Sequence, residues 1–442
     1  MTENTNQLNQ WIQGQVQARP ATDFGLSEAL RAASIDRFNP GIYPTRKEEE
    51  WRYTPLKQVL EQNIGDSTAS IIDPELVQKF KGSIPEAHHL VFINGEFSTL
   101  HSDSLDLTSI LGLTITAIAD LDARTRALAE GIIRDSKLSD DNIFLHIALG
   151  LSRNGLFIDQ TQGVEASTPI HLLNISTQAG SASFSNPVNI IHVGANSRLK
   201  VVEQFVSIDD AAAVVIPANF FKLDDGSNLE HYKIGLESDA TDHISNTSVN
   251  VGNAAEIVSH QYLFGSRLTR SNIEVGFSGP GASAILRGIY LGDKSQHLDV
   301  RTYLDHAHPN CSSDQHFRGI LNDKARGVFN GLVLVREHAQ KTDARQSNKN
   351  LLLSRDARVD TKPQLEIFAD DVKCAHGATV GELDDDALFY LQSRGIGKAD
   401  AALMLTRAFA AEISQDITIE SVRKYVEATI ADSLNGISIA NV

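Results

Sequence analysis

Two short stretches of this chain bring sulfur and nitrogen ligand types together. In Asp370-Asp371-Val372-Lys373-Cys374-Ala375-His376-Gly377 a thiol and an imidazole stand two residues apart. Side chains two apart in a strand point to the same side, so Cys374 and His376 would face one ligand together. A thiolate and a neutral imidazole both suit iron, and iron–sulfur centres accept both. Lys373 would lower the thiol pKa modestly if its charge lies nearby. The plainer alternative is a buried structural cysteine beside a hydrogen-bonded histidine. Two ligands cannot close a four-coordinate site, so any cluster held here needs a partner, and the pattern points to an interface. The other stretch holds His306, His308, Cys311 and His316. Its plainer reading is a polar turn, because the His-x-His pair shares a face only in extended backbone.

Cys311 and Cys374 are the only cysteines. A disulfide framework is excluded, and a reducing cytoplasm is the simplest compartment. Two thiols also fall short of a self-contained four-cysteine zinc or iron–sulfur site. No nucleotide-hydrolysing loop is present: Gly395-Ile396-Gly397-Lys398 runs into Ala399 and has Gln392 where the upstream glycine belongs. Gly276 to Gly281 has the wrong spacing for a dinucleotide loop, and neither H-E-x-x-H nor G-x-S-x-G occurs.

With 39 basic against 56 acidic residues in 442, the formal charge is −17. That balance argues against nucleic acid and against anionic membranes as partners. The longest apolar run, Ala211 to Phe221, is broken by Pro217 and Asn219 and falls short of the ~18 residues that span a bilayer. The first fifteen residues lack the apolar core of a secretion signal. Charge is uneven, however. Residues 318–362 carry ten Lys or Arg against five acids, a local +5 that reads as a solvated face or as a surface for a complementary protein.

Three regions must position these groups. Residues 1–87 read as helical, with a capping box at Thr45 and Glu48 and with Trp51 and Tyr53 placed to dock it. Residues 88–380 are strand-rich around a helical insertion at about 116–148. Their informative feature is a degenerate repeat of an apolar residue, a small polar turn and another apolar residue. It starts at Val193, Leu223, Val251 and Val275, spaced by 30, 28 and 24, and again at Leu321 and Leu353, spaced by 32. A period of that size with alternating strands predicts a β-solenoid, with a β-sandwich or jelly roll as the alternative. Residues 381–442 return to helix: Asp384 to Asp386 start one, Gly395 stops it, and Ile419, Val422, Val426 and Ile430 mark another. Such helices either cover the last coil or project as a docking module.

Several segments together resemble one family. Phe329-Asn-Gly, Lys341-Thr-Asp343, Asp360-Thr-Lys-Pro-Gln-Leu-Glu-Ile367 and Asp371-Val-Lys-Cys-Ala-His-Gly-Ala-Thr-Val380 occur in order, followed by Phe389-Tyr-Leu-Gln-Ser-Arg-Gly395. Upstream, Pro44-Thr-Arg-Lys-Glu-Glu-Glu-Trp-Arg-Tyr-Thr-Pro-Leu56 is similar to the same family's N-terminal segment. The set resembles the SufB/SufD family of the SUF iron–sulfur cluster assembly complex, and the Cys-x-His-Gly-Ala-Thr and Thr-Lys-Pro-Gln runs favour its SufD branch. The resemblance implies a right-handed parallel β-helix flanked by N-terminal and C-terminal helical regions. It implies a non-catalytic scaffold that pairs with SufB through the β-helix and with the SufC ATPase through the C-terminal helices. On that basis His376, and more weakly Cys374, are candidate ligands for a transient iron or nascent cluster at the SufB interface, with no cofactor held stably by the chain alone. Phe389, Tyr390, Arg394 and Gly395 are the candidate SufC-docking segment. A homodimer using the same interface is the alternative assembly. A β-helix enzyme acting on carbohydrate would call for a secretion signal and an aromatic groove, whereas aromatics are 6% of the chain.

Overall fold

The computed structural model describes residues 6–18, 25–38, 41–65, 72–107, 112–136, 141–177 and 181–437. Strands alternate between a ten-stranded and a twelve-stranded sheet, and the chain winds between them as a β-solenoid of about eight turns. Leu268–Phe277 lies in the twelve-stranded sheet, Ser283–Gly292 in the ten-stranded, and His297–His306 again in the first. Neighbours within each sheet are parallel from Leu156–Gln160 onward. This ladder excludes the sandwich alternative.

The repeat resides in the corners. Where the chain passes from the twelve- to the ten-stranded sheet, Asn196, Gly226, Ala254, Gly281 and Asn310 all have φ between 50° and 70°. Each donates its backbone N–H to a carbonyl of the next coil, from Asn196 to Asp225 at 2.9 Å through Asn310 to Gln340 at 2.9 Å. The left-handed backbone suits Gly and Asn, which explains the small polar turns. Two details differ from the sequence reading. Val251 pairs with Phe277 while Val275 pairs with Val249, so the fourth repeat is two residues out of register. The turns after Leu321 and Leu353 belong to the opposite corner, leading from the ten- to the twelve-stranded sheet.

Alternation then assigns each face. Ile158, Ile191, Phe221 and Val249 point between the sheets and join the interior with Leu199, Leu229 and Ile257. Their neighbours Phe157, Ile190 and Phe220 point outward, where the N-terminal helical region covers them with Trp51, Phe144 and Ile147. Strands buried on both faces need apolar residues on both, so the run Ala211 to Phe221 is a solenoid corner and strand. Each such side chain contributes roughly 1.5–3 kcal/mol when fully buried. Thr45 and Glu48 do meet, with the Glu48 carboxylate accepting from Thr45 N at 2.5 Å and from its hydroxyl at 2.7 Å, but they cap a single 3-10 turn, Glu49–Trp51, and no longer helix.

The C-terminal helices Lys398–Ala411 and Glu420–Gly436 lie back across the outer face of the ten-stranded sheet. Val422, Val426 and Ile430 pack with Tyr232, Tyr262 and Ile289. Lys200 bonds Thr418 at 2.7 Å and Gln204 bonds Tyr425 at 2.9 Å. Among the described residues nothing covers the last coil, Arg358–Ile367 and Lys373–Gly381, which forms the outermost strand of both sheets.

Candidate functional site on the open last coil

Cys374 and His376 both lie on the strand Lys373–Gly381, the free edge of the ten-stranded sheet. Parallel pairing aligns Cys374 with Ala344 and His376 with Gln346. Ala344 and Gln346 are buried between the sheets, so Cys374 and His376 continue the inward-facing pleat at the end of the solenoid. The two positions differ in cover. Cys374 is half-buried and packs against the interior, whereas His376 is exposed. Burial pushes the Cys374 thiol up, and Asp343 adds to that shift against a lowering hydrogen bond at Ala344. The expected help from Lys373 does not materialise: its side chain is exposed, and burial of the thiol outweighs it. The isolated chain therefore carries Cys374 as a thiol at neutral pH.

Behind His376 stands a residue that the sequence reading missed. Gln346 is buried, yet neither its Oε1 nor its Nε2 has a hydrogen-bond partner. The Thr361 hydroxyl on the facing edge strand is equally unpartnered. Gly331 opposite leaves room for the amide, since a Cβ there would meet Gln346 Nε2. Stacking the coils in register, which aligns Gln315, Gln346 and His376, would have found this file of polar residues inside the solenoid.

The second histidine–cysteine group disperses. His306 is buried inside the solenoid, with Nε2 2.9 Å from Ser313 Oγ and its ring against Phe277. Cys311 is buried in the same interior, where desolvation raises its pKa. His308 lies in the corner, and His316 faces outward beside Asp314 at 3.2 Å. Among the described residues no three His, Cys, Asp or Glu side chains come together as a metal site.

The basic stretch is half neutralised within the chain. Arg318 pairs with Glu412, Arg326 with Asp360 at 2.6 Å, Arg336 with Asp305 at 2.7 Å, Arg345 with Asp343 at 3.2 Å, and Lys362 with Glu49. What distinguishes this end of the molecule is apolar exposure. Six of the ten exposed large apolar side chains follow residue 366. Ile367, Phe368 and Val380 stand on the last coil, and Phe389, Tyr390 and Met404 on the helices after it. Asp384 caps the helix Asp385–Ser393 by accepting from Ala387 N at 2.8 Å. Arg394 then lies against Tyr390, 5.2 Å from its ring centre, and Gly395 turns the chain with φ 85°. No helix among the described residues is long and apolar enough to cross a membrane.

Comparison with known proteins agrees with this architecture. Residues 174–409 match the SUF system FeS cluster assembly SufBD core domain, and residues 3–172 match the SufBD protein N-terminal region. The chain is 33% identical to the iron–sulfur cluster assembly protein SufD of Escherichia coli over 396 residues, covering 89% of this chain and 90% of that one. It is 28% identical to a SufBD family protein of Synechocystis, covering 89% and 88%. Protein ABCI7, chloroplastic, of Arabidopsis thaliana is 27% identical, covering 94% and 88%. The chain belongs to the SufBD family, and its role lies in iron–sulfur cluster assembly by the SUF system.

Proposed function

We propose that this chain is a non-catalytic scaffold subunit whose open last coil is completed by a SufB chain, while its C-terminal helices dock a SufC ATPase. The observation that carries this reading is the uncovered coil itself. A free strand edge presents unpaired N–H and C=O groups as a template for another chain. Here that edge also bears exposed apolar residues and the inward-facing pair Cys374 and His376. Strand addition by SufB would bury Ile367, Phe368 and Val380 and enclose His376 together with ligands from the partner. Iron and sulfur are the cargo of such a site, with His376 as ligand and Cys374 in a lesser role.

Phe389, Tyr390, Arg394 and Gly395 offer SufC an aromatic and cationic knob on one helix. Because the helices behind it are bonded across the outer face of the ten-stranded sheet, movement of an attached ATPase would bear on the coils and shift the balance between two arrangements of the interface. Co-expression of this chain with SufB and SufC tests the assembly: a stable complex containing all three is expected, and failure of the folded chain to bind either partner would sink the reading. Replacing His376 by Ala is expected to leave that complex intact and to lower cluster yield about tenfold or more, as measured by iron and sulfide content. The open coil is equally available to a second copy, and the mass of the isolated chain in solution distinguishes that homodimer from a monomer.

A further inference from the structure

The outer face of the twelve-stranded sheet carries a cavity of about 590 Å³ that cluster assembly does not use. The turn Glu49–Trp51 and the residues opening the helix Ile143–Leu151 roof it, and the strands from Leu268–Phe277 to Arg358–Ile367 floor it. A space of this size takes a small organic molecule.

In its depth the charges do not balance. Arg270 and Arg301 are 3% and 9% exposed, and both lean on Asp299, which is fully buried. Arg270 Nη1 donates to Asp299 Oδ2 at 2.9 Å, Arg301 Nε lies 3.2 Å from both carboxylate oxygens, and the Thr54 hydroxyl donates to Oδ2 at 2.5 Å. One carboxylate thus serves two guanidinium groups. Neighbouring His297 adds no charge near neutral pH, because burial pushes it down to about 4. Lys362 at the mouth is matched by Glu49. Glu50 and Asp141 are exposed, where water and salt screen them.

The two arginines are not equivalent. Arg270 is committed to structure: Nε donates to Asn272 at 3.2 Å, Nη1 also reaches the Glu50 carbonyl at 2.9 Å, and its plane lies 3.7 Å from the Trp51 ring centre. Arg301 spends only Nε. Among the described residues its Nη1 and Nη2 make no hydrogen bond, although the residue lines the cavity. A guanidinium held by Nε, with both terminal nitrogens free, is a preorganised fork for two oxygens of one anion. Glu274 stands on the strand beside Arg301, directly paired with Tyr303, and would repel an anion placed over it. That confines the anionic group to the Arg301 end. Beyond it, Tyr303, Leu332 and Ile143 supply an uncharged wall.

We propose that this cavity binds a small organic molecule through a phosphate or carboxylate group held by both terminal nitrogens of Arg301, with the uncharged body of the ligand against Tyr303 and Leu332. Titrating the full-length chain with phenyl phosphate and with benzoate, followed by calorimetry or ligand-observed NMR, tests it. At least one of the two should bind with Kd at or below ~1 mM, and the tighter one identifies the anion. Arg301→Gln should weaken that binding about tenfold or more, and Arg301→Lys should not restore it fully, because an ammonium lacks the fork. Since Arg301→Gln also removes a partner of Asp299, Leu332→Trp serves as an independent variant that fills the cavity without touching the ion cluster, and it should abolish binding too. Absence of binding by both compounds, or binding unchanged in Arg301→Gln or in Leu332→Trp, would overturn the assignment. The readout needs neither SufB nor SufC nor a cluster, so it stands apart from the scaffold reading.

Discussion

The two ends of the solenoid solve the same problem in opposite ways. At the N-terminal end, the strand His88–Ile93 is closed by an antiparallel hairpin to Glu96–Phe97, and Leu156–Gln160 by the antiparallel pair Leu113–Ala117 and Asp106–Leu107. Helices then cover the outer face. At the C-terminal end both sheets stop on a full-length parallel strand without cover. Natural sheets protect or disrupt free edges, so a long bare one marks a place reserved for another chain. Even here the two edges differ. Pro363 removes a donor from Arg358–Ile367, whereas Lys373–Gly381 contains no proline. The edge carrying His376 is the better template.

Acid should expose the sealed part first and with the largest effect. His89, His260, His297 and His306 are pushed down to about 4 and His171 to about 3, with burial as the leading cause in each. Unfolded histidine titrates near 6.5. As pH falls below that value the unfolded chain takes up protons that these buried rings refuse, so stability is full above about 6.5 and is lost progressively toward 4. His192 acts in the other direction. Its bonds to Asp159 and Asp224 raise it to about 9, so its contribution is full below 6.5 and is lost as pH rises through 9. Urea midpoints measured across this range should therefore fall steeply on the acid side and gently on the alkaline side; a flat acid limb would contradict the buried, neutral state of the five rings.

Substitution separates the ends more sharply. Phe157→Ala, under the N-terminal cover, should cost about 3–5 kcal/mol of unfolding free energy. Val380→Asp at the open edge, where the side chain is 49% exposed, should change the isolated chain by less than ~0.5 kcal/mol. The same Val380→Asp should abolish co-purification with SufB, because a buried unpaired carboxylate is costly at a closed interface. Equal loss of stability at both sites would mean that the last coil is not free. On the helix beyond, Phe389 is 73% exposed, and Phe389→Ser should weaken SufC binding by about 2 kcal/mol while leaving the SufB pairing unchanged in the same pull-down.

How much of this could be read from residues alone follows the range of the interactions. Corner chemistry is local, and so the period appeared as recurring Gly, Asn and Asp between apolar residues. It slipped by two at Val275 because only pairing across coils fixes register. Cys374 and His376 were legible because a strand places i and i+2 on one side. Gln346 was not, since its position behind His376 requires the coil-to-coil alignment. The group at His306 misled for a related reason: the corner at Cys311 separates residues that are close in sequence, sending His306 inside and His316 outside. Arg270, Arg301 and Asp299 meet across adjacent strands and under Trp51, a combination no local window contains.

The smallest predicted effect probes where the sealed interior gives way to the site. Along the inward pleat, Ala344 is covered on every side, Cys374 is half-covered, and His376 is open, so the change takes place within two residues of one strand. Cys374→Ser exchanges a thiol for a hydroxyl of similar size at the half-covered position. The hydroxyl prefers water more strongly, but the open end lets water reach it, so the stability loss should stay under ~1 kcal/mol. If the thiol serves mainly as packing, cluster yield in the complex with SufB and SufC should fall only about two- to threefold, against the tenfold or greater loss for His376→Ala. A reversed order, with Cys374→Ser abolishing cluster formation and His376→Ala sparing it, would place the boundary one pleat deeper. It would also require the partner to draw Cys374 out of its raised-pKa environment into thiolate form, because burial disfavours the thiolate in the chain alone.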